Sequence, residues 1–417
     1  MTSASVQTVS DAEIVRTPRI PAFVWILVGL LLICQIAACV AGAGPSLTAR
    51  IDLRAFYASG MIVRHGQIAD LYNYELQRQI QDGLSFRANP LPFLYPPFAA
   101  LLFWPLAFLS YRAAFFTLVA INLLLLFFAT RVLISCVPSL RRSNTLVLTL
   151  LFGCLFGVSI ALMQGQISFL LLLLYSGSYA LLTRNHHLKA GLLLSLCLVK
   201  LQLVLPVILL FLLWKNWRLL AGFLVGGSGL GLLSLALVGR SGVQNYLNHL
   251  TGIASEGAAN AAAAKARYGM FPTDMPNLHG LTFGLAHGAP WGQVLNAGLC
   301  LLVLAWAARQ RASLLVALPA AMLVSYHMQP HDLTLLLLPL SVVVSRWIYG
   351  PGHGEDSSGR LQNVLLLGSV LLLTLPLAAF VMARGMNFVV SVAVASVMVL
   401  AASAAEHKPM ELRMHKG

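Results

Sequence analysis

The sequence predicts an all-α polytopic membrane protein, and three features of it carry that expectation. Of 417 residues, 59% are hydrophobic and only 10% are charged, with a mean hydropathy of +0.82; a soluble domain has about a quarter of its residues charged. Apolar runs of about twenty residues recur along most of the chain, each enough to cross roughly 30 Å of hydrocarbon. Lipid offers the backbone no hydrogen-bond partners, so such runs must be helical.

The first run, near 24–42, follows a polar start carrying Arg16 and Arg19. It exceeds the length of a signal-peptide core, despite the small-residue stretch Ala41-Gly42-Ala43, and reads as an uncleaved helix anchored inside by those arginines. Further spans are expected near 113–136, 146–162, 166–183, 188–199, 201–214, 218–238, 291–308, 313–327, 332–348, 362–383 and 387–405, about twelve in all. One apolar run, 93–109, remains. Prolines at 90, 92, 96, 97 and 105 make it a poor straight span. With that run at the outer interface, Arg141 and Arg142, Arg184 and Lys189, Lys215 and Arg218, Arg309 and Arg311, and Lys408, Arg413 and Lys416 all fall inside, as the positive-inside tendency favours. The stretch 188–214 is divided at Lys200 for the same reason, because a lysine at mid-bilayer is expensive.

Two long outer segments result, 43–112 and 239–290, with cytoplasmic tails 1–23 and 406–417 and an inner loop at 349–361. The first outer segment carries two amphipathic stretches, one through Leu53, Phe56, Tyr57 and Met61, the other through Ile68, Leu71, Tyr72, Leu76 and Ile80. This spacing suits helices lying on a membrane surface. The second has an Ala-rich helix near 257–266 and then a Pro-, Asn- and Gly-rich loop. No internal repeat and no separate soluble domain is visible, so the chain is one integral membrane domain.

The net charge of +14 comes from 27 Lys and Arg against 13 Asp and Glu. The basic residues lie mainly in short loops, which is a topology signal rather than a nucleic-acid footprint. Cys34, Cys39, Cys136, Cys154, Cys197 and Cys300 all fall in or beside apolar runs, without metal-site spacing and without an outer-loop pair for a disulfide.

Scarce acidic residues narrow the search for chemistry. Asp52 stands a few residues beyond the first helix, at the membrane surface. A carboxylate there is a natural base for a hydroxyl proton; the alternative is that it only caps the helix that follows. Ser325-Tyr326-His327-Met328-Gln329-Pro330-His331-Asp332 places two histidines and an acid at a Pro-interrupted gap between apolar runs, where ionisable groups are functional by default. An outer loop of ordinary polar residues is the alternative, and the spacing is not that of a metal site on one helix face. Lys200, alone among Leu and Val, either meets an anionic headgroup or snorkels. Gln164-Gly165-Gln166 marks a turn whose amides suit sugar hydroxyls. Pro276-Asn277-Leu278-His279-Gly280 is a second polar turn, and Tyr95-Pro96-Pro97-Phe98 shapes the outer helix or lines a groove.

Taken in order, Asp-Leu-Arg-Ala-Phe-Tyr-Ala-Ser-Gly (52–60), Leu-Tyr (71–72), Tyr-Pro-Pro-Phe (95–98), Gly-Gln (165–166), Ala-Gly followed by Lys (190–200), Asn-x-x-Gly (277–280) and His-x-x-x-His-Asp (327–332) resemble glycosyltransferase family 87, over roughly 50–340. That family includes mycobacterial polyprenol-phosphate-mannose-dependent α-mannosyltransferases and related arabinofuranosyltransferases. No single motif is strong; their joint order carries the resemblance, and Leu201 stands where many members have proline after the lysine. The resemblance implies a GT-C bundle and no nucleotide sugar. It implies an inverting transfer of a hexose or pentose, mannose foremost, from a polyprenyl-phosphate carrier to a lipid or glycan hydroxyl at the outer face of a bacterial inner membrane. Asp52 would be the base. Arg54, Tyr57, Tyr95, Gln164, Gln166, Lys200, Asn277, His327, His331 and Asp332 would contact substrates, with no cofactor and no obligatory metal. Rival readings are a transporter or flippase of a lipid-linked substrate, which more often shows inverted repeats, and a non-catalytic scaffold.

Overall fold

The computed structural model describes residues 22–84, 90–137, 140–141, 143–259, 272–349 and 357–406. The expected tails with Arg16, Arg19, Lys408, Arg413 and Lys416, most of the Ala-rich 257–266 stretch, Arg142 and much of the inner loop at 349–361 lie outside these residues.

The described chain is helical, and its only β-type contact is an isolated bridge. The helices are α1 (Ala22–Leu47), α2 (Leu53–Arg64), α3 (Tyr74–Leu84), α4 (Ala100–Phe103), α5 (Tyr111–Cys136), α6 (Thr145–Gly153), α7 (Phe156–Gln164), α8 (Ser168–Thr183) and α9 (His187–Ser195). They continue with α10 (Leu201–Leu213), α11 (Trp217–Ala259), α12 (Leu278–Leu285), α13 (Trp291–Arg309), α14 (Leu314–Val324), α15 (Leu337–Tyr349), α16 (Ser357–Leu372), α17 (Leu375–Ala383) and α18 (Asn387–Glu406). Among the described residues, six helical stretches are long and apolar enough to cross a membrane by length and composition: Trp25–Leu47, Tyr111–Cys136, His187–Leu213, Trp217–Gly252, Trp291–Arg309 and Asn387–Ala405. The other apolar runs fold as shorter pieces or as pairs of pieces. Large exposed side chains such as Ile33, Phe116, Leu224, Val294 and Leu301 clothe the outside, as lipid-facing surfaces require.

Several boundaries differ from the sequence expectation. The run 146–162 is two helices, α6 and α7, and 362–383 is also two, α16 and α17. Their breaks meet: Phe156 N–H donates to the Leu373 carbonyl at 2.9 Å and Leu375 N–H to that of Cys154 at 3.2 Å. Backbone groups freed inside an apolar region must find partners, and here each break supplies the other. The stretch 188–214 does divide at Lys200, through a 3-10 turn at Leu196–Lys200 with Lys200 at φ −124 and ψ 80, and the chain reverses there: Asn216 Nδ2 lies 2.9 Å from His187 Nδ1, so both ends of the stretch stand on one side. The segment after residue 238 begins as helix, because α11 kinks at Gly239 (φ 68) and continues. Its second arm sets Tyr246 against Tyr72, ring centroids 5.1 Å apart.

The 93–109 region forms three short helical pieces, Pro97–Ala99, α4 and Pro105–Phe108, none long enough to span. It packs on α2, which buries nine of its twelve residues instead of lying half-immersed on a surface. Phe56 stacks on Phe103 at 4.4 Å, and Tyr57 OH donates to the Leu109 carbonyl at 2.7 Å. The extended stretch before these pieces is held by α3: Gln81 exchanges two 2.8 Å hydrogen bonds with the Leu91 backbone, and Gln77 Oε1 accepts from Phe93 N–H at 2.8 Å.

The tightest helix pair is α9 on α11. A Cβ at Gly191 would stand 1.9 Å from the Leu219 carbonyl oxygen, and one at Gly222 would stand 2.0 Å from that of Leu188. Small residues at a crossing let backbones approach where lipid gives helices no hydrophobic incentive to associate. Gly191→Leu or Gly222→Leu is therefore expected to abolish the monodisperse peak of detergent-solubilised protein in size-exclusion chromatography. Gly229→Leu, which has open space around it, should leave the peak in place.

Candidate active site

Five chain breaks converge at one place. Asp52 precedes α2 with φ −60 and ψ −30, and its side chain makes no capping hydrogen bond to that helix. The carboxylate instead turns away, and its Oδ2 accepts from Gln166 Nε2 at 2.5 Å. The capping alternative therefore fails on geometry. Asp52 is partly buried, and its Oδ1 takes no hydrogen bond from any described residue.

Gln166 sits just past the end of α7, where Gly165 adopts φ 63 and ψ 42. A Cβ there would be 3.0 Å from the Leu53 Cβ, so glycine is required both for the left-handed turn and for the approach of α2. The Gln166 carbonyl accepts from Asn122 Nδ2 of α5 at 2.9 Å, and Tyr95 OH reaches Gln166 Oε1 at 3.5 Å. Serine 46 (Ser46), at the end of α1, donates to the Met163 carbonyl at 2.8 Å and joins the two helix ends.

On the other side of the Gly165 turn, Gln164 Oε1 lies 2.8 Å from His331 Nδ1. His331 Nε2 lies 2.9 Å from Lys200 Nζ, which donates to Asp332 Oδ1 at 2.5 Å. An amide oxygen can only accept and an ammonium can only donate, so His331 is neutral with its proton on Nδ1. Lys200, His331 and Asp332 are at most 3% exposed. Asp332 Oδ2 accepts from the Gln329 N–H at 3.1 Å, which pins the turn that restarts the chain after Pro330. Gly157 admits this segment to α7: a Cβ there would be 2.6 Å from Thr334 N.

The 325–329 gap is stitched from behind by Asn277. Its Nδ2 donates to the Ser325 carbonyl at 2.7 Å and its Oδ1 accepts from Gly280 N–H at 3.0 Å. Both ends of that amide are thus used in holding the backbone. His327 follows, and its buried Nδ1 has no hydrogen-bond partner. Tyr326 is exposed and stacks on His279 at 5.3 Å.

Electrostatics separate these groups. Burial raises the Asp52 carboxyl above the usual carboxylate range, and the Gln166 hydrogen bond and the Lys200 charge oppose this without cancelling it. Burial and the same lysine push His327 down to about 4 and His331 to about 3, so both imidazoles in the gap are neutral near pH 7. Arg54, buried on α2, shares its field with Asp52 and Tyr111. Among the described residues no group of three His, Cys, Asp or Glu side chains assembles as a metal site.

Of the residues singled out in the sequence, Asp52, Tyr95, Gln164, Gln166, Lys200, His331 and Asp332 come together through hydrogen bonds, and Arg54 and His327 lie beside them. Tyr57 and Asn277 serve neighbouring backbone. Asn122 was missed, although one asparagine inside an apolar helix is a visible signal. Tyr111 was missed as well, because it reads as an interfacial aromatic.

The sequence model of glycosyltransferase family 87 matches residues 93–339, more than half of the chain. The protein belongs to glycosyltransferase family 87. It is accordingly a membrane glycosyltransferase, and the matched segment contains Tyr95, Gln164, Gln166, Lys200, Asn277, His327, His331 and Asp332. Asp52 and the stretch 52–60 precede it. No curated protein and no solved structure matches the chain.

Two measurements follow from the charges. Removing one partner of a buried pair costs about 3–5 kcal/mol, whereas removing both with apolar replacements is far milder. Lys200→Met and Asp332→Leu should each lower the melting temperature in detergent sharply, and the double variant should recover most of the loss. For Asp52, a folded-state pKa above the unfolded value means that ionisation opposes folding. This penalty is absent below the unfolded pKa and grows as pH rises through the folded one. Asp52→Asn should then melt higher than wild type at neutral pH and equally at acidic pH.

Proposed function

We propose that this glycosyltransferase takes its sugar from a polyprenyl-phosphate carrier and passes it, with inversion, to a hydroxyl of a lipid or glycan acceptor at the outer face of a bacterial inner membrane. Asp52 is the general base. The observation that supports this reading most is the Asp52 carboxylate itself: off its helix cap, raised in pKa, held through one oxygen and open at the other. A base at hydrogen-bond reach of the attacking hydroxyl with an elevated pKa is what proton abstraction needs.

The step balances as follows. The acceptor oxygen forms a bond to the anomeric carbon and its proton goes to Asp52 Oδ1. The bond from that carbon to the carrier phosphate oxygen breaks, and its electron pair leaves with the phosphate. One negative charge thereby moves from Asp52 to the leaving group, and the net charge of the site is constant. Cations set beside that path, rather than additional charge, are what lower the barrier. Lys200 keeps one N–H unengaged by Asp332 and His331, His327 offers a neutral ring nitrogen, and Arg54 lies in the Asp52 field. These groups suit the phosphate side, and Tyr95 suits the sugar. Mannose is the first donor to test, with arabinofuranose second.

Membranes carrying wild type and Asp52→Asn should be assayed against a panel of radiolabelled polyprenyl-phosphate sugars. Wild type should transfer from one of them, and Asp52→Asn should be slower by about 10²–10⁴-fold. The acid limb of kcat/KM should lie above the ordinary aspartate range, because the base must be ionised and burial raises its pKa. Equal transfer by both proteins would remove Asp52 as the base. No transfer from any carrier would favour a transporter of lipid-linked substrates instead.

A further inference from the structure

The sequence suggests that Gln164 and Gln166 bind sugar hydroxyls, but the structure gives their amides other partners. Gln166 is buried, at 3% exposure, and its Nε2 is spent on Asp52 Oδ2. Its backbone is tied to Asn122 and its Oε1 faces Tyr95 OH. Gln164 commits its Oε1 to His331 Nδ1, and His331 in turn places Nε2 against the Lys200 ammonium. One left-handed glycine separates the two glutamines, and Leu53, the residue after Asp52, fills the space that a Cβ at Gly165 would claim.

We propose that the Gln164-Gly165-Gln166 turn is a positioning device: Gln166 aims the Asp52 carboxylate with Oδ1 outward, and Gln164, acting through His331, aims Lys200. Base and cation are thereby held in register across a span that no single element provides. Gln166 and Gln164 are positioning residues in this account, which rests on Asp52 being the base. The hydrogen bonds are directional in a way that fixes function. An amide N–H on Oδ2 leaves the other oxygen as the acceptor for the incoming proton. An amide oxygen on His331 Nδ1–H fixes the tautomer, so that a lone pair and not a second N–H meets Lys200. Gly165 makes both possible, since the turn reverses the chain within one residue and presents the flanking side chains to two different charge centres.

The test uses the full chain in nanodiscs, with the carrier sugar that wild type transfers. Losing a donor to an ionised carboxylate disfavours the charged form. Gln166→Leu should therefore move the acid limb of kcat/KM upward by about one pH unit, with carrier KM unchanged within about twofold. The charged and titratable groups facing Asp52 are Arg54, Tyr95, Tyr111, Lys200 and Asp332, and that variant leaves all of them in place. Gln164→Leu should lower kcat about tenfold without moving the limb, and Gln164→Glu, which keeps an acceptor for His331, should restore it. A raised KM with a fixed limb in either leucine variant would mean direct sugar contact and would overturn the proposal. A second arm needs no transfer. Gln166→Leu should lower the melting temperature more in the wild-type background than in Asp52→Ala, and equal losses in both would overturn the clamp. Transfer that survives Asp52→Asn would remove the base reading separately, by a result that the melting arm does not depend on.

Discussion

A lysine ammonium buried among leucines is the constraint on which the rest of this structure depends. An unpaired charge in that position would be intolerable, and Lys200 is made tolerable by Asp332 at 2.5 Å and His331 at 2.9 Å. Those two residues come from a segment that must leave helical geometry to reach it, which explains the gap after α14 and the 3-10 turn at Pro330–Leu336. The same demand distorts Leu196–Lys200. Gly157 then lets α7 close over the segment, and the end of α7 brings Gln164 to His331. Each irregularity in the membrane region near the site traces to satisfying one charge.

The second consequence is a division between two carboxylates. Asp332 is paired and committed to structure, whereas Asp52 is held through one oxygen and is raised in pKa by burial. Environments that push two acids apart assign them different tasks. In the proposed reaction the carboxylate without an ion-pair partner exchanges the proton, and the paired one fixes where the cation stands.

The class of the chain and most residues that meet in the candidate site were legible in its sequence, and the pairings were not. Composition alone gives a helical membrane protein, and Lys200, Asp52 and the 327–332 cluster stand out because polar residues are costly where they occur. Pro330 marks a real break. The breaks at Cys154–Leu155 and Leu373–Thr374 were not legible, because each is stabilised by backbone from a remote part of the chain. Gln166 with Asp52, and Gln164 with His331, join residues 114 and 167 positions apart; periodicity carries no information at that range. The amphipathic pattern of α2 suggested a surface helix, and Phe56 and Tyr57 of its apolar face proved to pack on the 97–109 pieces, whose own prolines obscured their packing role. Asn277, expected among the substrate contacts, spends both ends of its amide on backbone, because an asparagine before a helix serves equally as a cap.

The central claim is that the acceptor hydroxyl meets Asp52 while the carrier phosphate meets the Lys200 side of the site. The most direct measurement is a cryo-electron-microscopy structure of the full chain with a non-hydrolysable polyprenyl-phosphonate sugar. The account expects the phosphonate within hydrogen-bond distance of Lys200 or His327 and the anomeric carbon facing Asp52 Oδ1. A phosphonate seated elsewhere, with Asp52 remote from the anomeric carbon, would contradict it.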